Sequence, residues 1–130
     1  MNRSAREAAM RIMYSMDFPG ETKADDYWGS HKASRTMRED AMKIVDGVAR
    51  RKEEIDSLIT GSSENWPLER MATIDRNILR AASFELLECP DVPVAVVVDE
   101  ALEIAKQYSS PDSAPFINGV LGKIAKQTRG

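Results

Sequence analysis

The fold is decided by residues 93–108, PVAVVVDEALEIAKQY. Four valines around Ala95 favour a β-strand by propensity alone. A helix is favoured instead by apolar residues three or four positions apart, which are Val94, Val97, Ala101, Ala105 and Tyr108. Because the helical spacing continues well beyond the valines and Pro93 suits a first helical turn, we predict a helix over about 93–108.

Two capping boxes, in which a hydroxyl residue precedes a glutamate by three positions, predict where the N-terminal helices begin. They are Ser4–Glu7 and Thr36–Glu39. The first helix should end near Asp17. The second should continue to about residue 60, with a kink or a solvated face at the charged run 50–54.

Further elements follow from the same kind of pattern. Residues 24–31 allow a short helix, and Gly61-Ser62-Ser63 is the best internal boundary. A turn of helix is predicted at 66–68, followed by helices over about 74–88 and 112–127. The expected fold is therefore all-α.

The composition supports a helical protein and excludes several classes of site. The chain has 130 residues, enough for one domain or two small bundles, and only 6% of them are aromatic. A single cysteine, Cys89, and a single histidine, His31, exclude an internal disulfide and most zinc sites. Glycine-rich phosphate loops and the GxSxG motif are absent from the sequence, so we predict no catalytic residue, no metal and no cofactor.

Charge is distributed unevenly between the two halves. Residues 1–52 contain eleven Lys and Arg against eight Asp and Glu, a net +3, and residues 53–130 contain seven against thirteen, a net −6. The basic half could face a polyanion, although two ordinary solvated surfaces would give the same figures. No long apolar stretch or secretory signal is present, so we expect no contact with a membrane and a cytoplasmic location.

Two groups of residues suggest RNA binding. Arg3, Arg6 and Tyr14 project from the predicted first helix, where guanidinium groups could bind phosphates and the ring could stack on an unpaired base. Asp75, Arg76 and Arg80 lie near the start of the helix over 74–88, where they could meet a phosphate or a base edge. The alternatives are solvation of a helix start for the first group and structural ion pairs for the second.

At this point the sequence resembles the NusB family of bacterial transcription antitermination factors. Four blocks carry the resemblance in order: Ala5–Ala9 with Tyr14, Ile74–Ala82 with Glu85-Leu86, Val92-Pro93 with Asp99–Ala101 and Ala105-Lys106, and Phe116–Leu121. The resemblance implies two small three-helix bundles packed into one compact domain over residues 1–130, with an N-terminal bundle over 1–62 and a C-terminal bundle over 63–130. It also implies that Gly119, which is costly inside a helix, lies at a close helix crossing.

The resemblance further implies a function. Family members bind the single-stranded boxA element of ribosomal RNA leader transcripts together with NusE, a ribosomal small-subunit protein, in the antitermination complex on RNA polymerase. The RNA-binding positions carried over by this resemblance, or adjoining it, are Arg3, Arg6, Tyr14, Asp75, Arg76, Arg80, Phe116 and Asn118. Asp112 matches a position at the boundary between the NusE-facing and RNA-facing surfaces.

Three other possibilities remain open from the sequence. The chain could be a helical protein–protein adaptor without RNA affinity, because its N-terminal basic segment is thin. It could be the RNA-binding extension of a ribosomal RNA cytosine methyltransferase, since that extension has the same fold. Some relatives self-associate, so a homodimer is also a candidate assembly.

Overall fold

The computed structural model describes residues 1–20, 24–64 and 66–130, and these residues form seven α-helices, one short 3₁₀ turn and no β-strand. The helices are α1 (Arg3–Met16), α2 (Ala24–Ser30), α3 (Arg35–Arg50), α4 (Lys52–Ser62), α5 (Thr73–Glu88), α6 (Val94–Tyr108) and α7 (Ser113–Arg129), and the 3₁₀ turn is Leu68–Arg70. The predicted all-α class is confirmed. Within the described ranges, no helix is both long enough and apolar enough to cross a bilayer.

The valine-rich stretch is helix α6, as predicted. Pro93 occupies the N-cap position, and Val97, Ala101 and Ala105 are buried along one face. Val96, on the other side, is 41% exposed. The spacing of the apolar residues therefore outweighs the strand propensity of valine, because burying one face of a helix contributes more than local preference.

Helices α1 and α3 both begin earlier than the predicted capping boxes. Asn2 caps α1, where its Oδ1 accepts a hydrogen bond from the backbone N–H of Ala5 at 2.9 Å. Ser34 caps α3, where its Oγ accepts from the N–H of Met37 at 3.1 Å. The assignment of the caps to Ser4 and Thr36 was wrong, because in each case another residue able to cap stands two positions upstream.

The helical conformation is interrupted between α3 and α4 at Arg51, which has φ −116° and ψ 25°. The guanidinium of Arg51 lies 3.3 Å from Glu88 and pairs with Glu54, so the break is tied to the end of α5. Helix α4 packs mainly on α5 and α7 rather than on α3. The predicted boundary after residue 62 therefore does not coincide with the change in packing partners, which falls at Arg51.

Helix α5 occupies the centre of the molecule and packs against α1, α3, α4, α6 and α7. Its Leu79 and Phe84 are almost fully buried. Its C-terminal end is closed by Arg129 at the end of α7, whose guanidinium donates to the carbonyls of Glu85, Leu86, Cys89 and Val92. This contact satisfies carbonyls that a helix end leaves without partners.

The close helix approach is at Gly47 rather than at Gly119. A Cβ added to Gly47 in α3 would lie 2.0 Å from Cε1 of Phe84 in α5. A Cβ at Gly119 would meet nothing within 4 Å, and Gly119 is exposed. The expectation of a tight crossing at Gly119 was therefore wrong, and the absence of a side chain is required in α3 instead.

We expect Gly47→Ala to lower the free energy of unfolding by about 1–3 kcal/mol, since the new methyl group displaces a buried ring. The matched control is Gly122→Ala in α7, where a Cβ meets open space. It should be neutral or stabilise the protein by up to about 1 kcal/mol through helix propensity. Urea unfolding of both variants makes the comparison, and equal stability of the two variants would contradict the packing described here.

Candidate nucleic-acid interface

Arg6 is a core residue. Its side chain is 5% exposed and pairs with Glu85, which is 2% exposed. Nε donates to Oε2 of Glu85 at 2.9 Å, Nη2 donates to Oε1 at 2.7 Å, and Nη1 donates to the carbonyl of Met1 at 3.1 Å. The donors of Arg6 thus face the interior and are already bonded, so this arrangement does not favour the predicted phosphate contact, which stays a prediction.

Arg80 and Arg76 belong to a second polar network, between α5, α4 and the end of α1. Arg80 is 6% exposed and donates to Asp56 at 2.9 Å and to Asp17 at 3.0 Å. Arg76 and Asn77 donate to the same carboxylate of Asp17, at 3.0 and 2.9 Å. The alternative of structural ion pairs is correct for Arg80, and Arg76 also pairs inside this network.

The network changes the acidity of Asp17. Burial alone would raise the pKa of this carboxyl, but the hydrogen bond from Asn77 and the charges of Arg80 and Arg76 outweigh it and hold the pKa of Asp17 below its ordinary value. Asp17 is therefore ionised at neutral pH and supports the packing of α1 against α5.

Asp75 is also buried, at 7% exposure, in the first turn of α5. Its two carboxylate oxygens accept hydrogen bonds from Ser109 at 2.6 Å and from Ser113 at 2.8 Å. These serines lie on either side of the turn between α6 and α7. Direct contact of Asp75 with RNA is thus not what the geometry favours, because the carboxylate instead fixes this turn against α5.

The turn held by Asp75 forms one wall of a groove of about 440 Å³. We call it the Trp66–Phe116 groove, after the two aromatic residues that line it together with Arg70, Asp75 and Asp112. Trp66 is 47% exposed and Phe116 is half-buried. Partly exposed rings in a groove can stack on unpaired bases.

Two helices begin at this groove. Ala72 is the N-cap of α5 and Asp112 is the N-cap of α7, and neither helix start has a side-chain cap. Both N-cap residues line the groove. The carboxylates of Asp75 and Asp112 stand at these two helix starts and Glu64 joins them in the lining, so Arg70 is the one cationic side chain of the groove among the described residues.

A second groove has a volume of about 580 Å³. We call it the Tyr14–Tyr108 groove, and it is also lined by Arg11, Tyr27 and His31. Ile74 lines this groove and Asp75 lines the other. Each groove is therefore lined by one residue of the first turn of α5.

The predicted site residues are therefore only partly brought together. Asp75, Asp112 and Phe116 meet in the Trp66–Phe116 groove, and Tyr14 lies in the second groove. Asn118 is exposed on α7 outside both linings. Arg3 is exposed at the start of α1, where its Nε donates to Glu100 at 2.6 Å.

Sequence reasoning missed several residues that line the two grooves. These are Trp66, Arg70, Arg11, Tyr27, His31 and Tyr108. Aromatic residues among polar ones in 24–31 and 66–70 indicated rings near the surface, but their spacing does not show which of those rings stay exposed. Exposure depends on how the turn segments pack on α5, which only the tertiary structure gives.

Half-exposed rings in two surface grooves give this all-helical chain stacking platforms of the kind that proteins binding single-stranded nucleic acid use. The model of the NusB family matches residues 3–126. The transcription antitermination protein NusB of Syntrophotalea carbinolica is 41% identical over 147 residues, covering 99% of this chain and 94% of that protein. The protein of the same name from an Anaeromyxobacter strain is 46% identical, covering 93% of this chain and 87% of that protein.

Solved structures agree with these relatives. NusB of T. maritima superposes with a TM-score of 0.88 at 33% identity, covering 100% of this chain and 94% of that one. A chain in the crystal structure of the antitermination factors NusB and NusE in complex with double-stranded RNA superposes with a TM-score of 0.86 at 28% identity, covering 96% of each chain. The chain described here belongs to the NusB family.

The lowered pKa of Asp17 predicts how the free energy of unfolding changes at low pH. Because its pKa is lower in the folded than in the unfolded state, its contribution is fully present above the unfolded value of about 4 and is lost as the pH falls through the folded value. We expect Asp17→Asn to lower the free energy of unfolding at neutral pH by about 1–3 kcal/mol. The variant should also lose less stability than the wild type on further acidification.

Urea unfolding at neutral pH and at about pH 3.5 measures both effects. The matched control is Asp25→Asn, since Asp25 has a side chain that is 94% exposed. The free energy of unfolding of this control should equal that of the wild type at both pH values. If Asp17→Asn instead loses as much stability as the wild type between them, the network does not hold Asp17 in its charged form.

Proposed function

We propose that this protein is a transcription antitermination factor that binds boxA-like RNA of ribosomal RNA leader transcripts together with NusE, within the antitermination complex on RNA polymerase in the cytoplasm. The observation that carries the proposal is the Trp66–Phe116 groove at the starts of α5 and α7. The names of the relatives support it, as does the likeness to a chain in the complex of NusB, NusE and double-stranded RNA.

The proposed mechanism is scaffolding, with no bond made or broken. Bases stack on Phe116 and Trp66, and a backbone phosphate pairs with Arg70. Asn118 can make base-edge contacts from the exposed side of α7. Asp112, exposed at the start of α7, stands at the rim where the RNA surface meets the surface for NusE.

The isolated chain should bind RNA weakly. Arg6 is bonded to Glu85 in the core, and Arg3 is paired with Glu100, so the N-terminal segment offers fewer cations than its sequence suggests. Few phosphate contacts mean low affinity and a shallow dependence on salt. A NusE partner is therefore required for tight binding in this proposal.

The test is fluorescence anisotropy with a single-stranded boxA-like RNA, a scrambled RNA and a duplex RNA, with and without NusE. We expect saturable binding that prefers boxA and tightens with NusE, whereas nanomolar binding by the free chain at about 150 mM salt would contradict the need for NusE. Phe116→Ala should weaken RNA binding by about 1–3 kcal/mol through the loss of stacking. Arg70→Gln should weaken binding to all sequences and reduce the salt slope by about one.

The matched controls lie outside both grooves. Val96→Ala removes an exposed apolar side chain from α6, and Arg35→Gln removes a cation whose side chain is 93% exposed. Both should bind RNA as the wild type does. If NusE is captured but RNA never binds, the protein is an adaptor, and if neither binds, the family fold is present without this function.

A further inference from the structure

The chain's only histidine lies in the Tyr14–Tyr108 groove, which the proposed function has not yet used. The imidazole of His31 lies flat on the ring of Tyr27, with centroids 4.0 Å apart and an interplanar angle of 7°. The guanidinium of Arg11 lies 5.7 Å from the centre of the same ring. Tyr27 therefore orders both basic groups, so their positions are set before any ligand arrives.

The contacts of His31 fix the orientation of its ring in this arrangement. Nδ1 lies 2.9 Å from the carbonyl oxygen of Tyr27, so Nδ1 carries a proton and donates it. Nε2 lies 3.5 Å from Nη2 of Arg11. The guanidinium of Arg11 therefore lies beside the Nε2 edge of the imidazole.

A second proton on His31 would place two cationic donors face to face. The other charged or titratable groups that line the groove are Tyr14 of α1, Asp26 and Tyr27 of α2, and Tyr108 of α6, whose hydroxyl donates to Glu7. An anion held between Arg11 and His31 would accept from both and remove their repulsion. Binding of such an anion is therefore coupled to uptake of a proton by the imidazole.

We propose that Arg11 and His31 form a phosphate subsite for RNA, at which a backbone phosphate accepts hydrogen bonds from both side chains and His31 takes up a proton. The inference rests on the proposed function, because it needs an RNA strand that also occupies the Trp66–Phe116 groove, and each groove is lined by a residue of the first turn of α5. A strand whose bases stack in the Trp66–Phe116 groove can continue across the first turn of α5 into the Tyr14–Tyr108 groove. An RNA strand that occupies both grooves contacts the protein through more nucleotides than a strand in one groove.

The experiment measures RNA affinity as a function of pH at constant ionic strength, with the boxA-like RNA and NusE. Between about pH 8 and pH 6, the range in which histidine titrates, wild-type affinity should rise by about three-fold to ten-fold. His31→Gln keeps a polar side chain without a titrating group, so its affinity should not change with pH in this range. Arg11→Gln should bind the RNA more weakly than the wild type at both the high and the low pH. The control Arg35→Gln should have the RNA affinity and the pH dependence of the wild type.

A second measurement does not depend on a variant. Because His31 is the only histidine, its imidazole signals in an NMR spectrum need no assignment by mutation. Its titration curve should move to higher pH when RNA is added. An unchanged curve, or a His31→Gln variant that keeps the wild-type pH dependence, overturns the subsite.

The outcomes also separate this inference from the function on which it rests. RNA binding that needs Phe116 but is insensitive to His31 and pH overturns the subsite alone. The absence of RNA binding at every pH overturns both proposals.

Discussion

The structure depends on the buried polar side chains of α5. Asp75 bonds to the turn between α6 and α7, Arg80 bonds to α4 and to the end of α1, and Glu85 bonds to α1. A buried polar group without its partner costs far more than an apolar contact loses by a small shift. Together these bonds fix the positions of α1, α4 and the turn between α6 and α7 against α5, whereas apolar contacts alone would allow the helices to slide along one another.

The grooves follow from this arrangement. The bonds of Asp75 to Ser109 and Ser113 place the start of α7 beside the start of α5, and this brings Phe116 opposite Trp66. In the proposed function, the buried polar residues Arg6, Asp75 and Arg80 therefore act mainly by holding the helices that shape the site. The contacts left for RNA are rings and a few cations at the surface, which suits recognition of a flexible single strand.

The sequence predicted the helices well and the roles of their polar residues less well. The spacing of the apolar residues identified α6 despite its valines, because apolar residues recur every three or four positions along the whole helix and bury one of its faces. Arg6 was predicted to contact phosphate, and Arg80 was predicted either to contact RNA or to form a structural ion pair, since a helical projection gives an angle around the axis and not what packs at that angle. The buried Glu85 that neutralises Arg6 is 79 positions away in the chain, so local pattern could not pair them. Gly47 escaped notice for the same reason, because only the neighbouring Phe84 shows why a side chain is excluded there.

The most direct test of this account asks whether Arg6 supports the fold or touches RNA. Arg6→Met should cost about 3–5 kcal/mol in urea unfolding, because it leaves Glu85 buried without a partner. The double variant Arg6→Met with Glu85→Leu should recover most of that stability and should bind boxA-like RNA with NusE as the wild type does. A double variant that is stably folded but has lost RNA binding would contradict the account, since Arg6 would then be a direct contact.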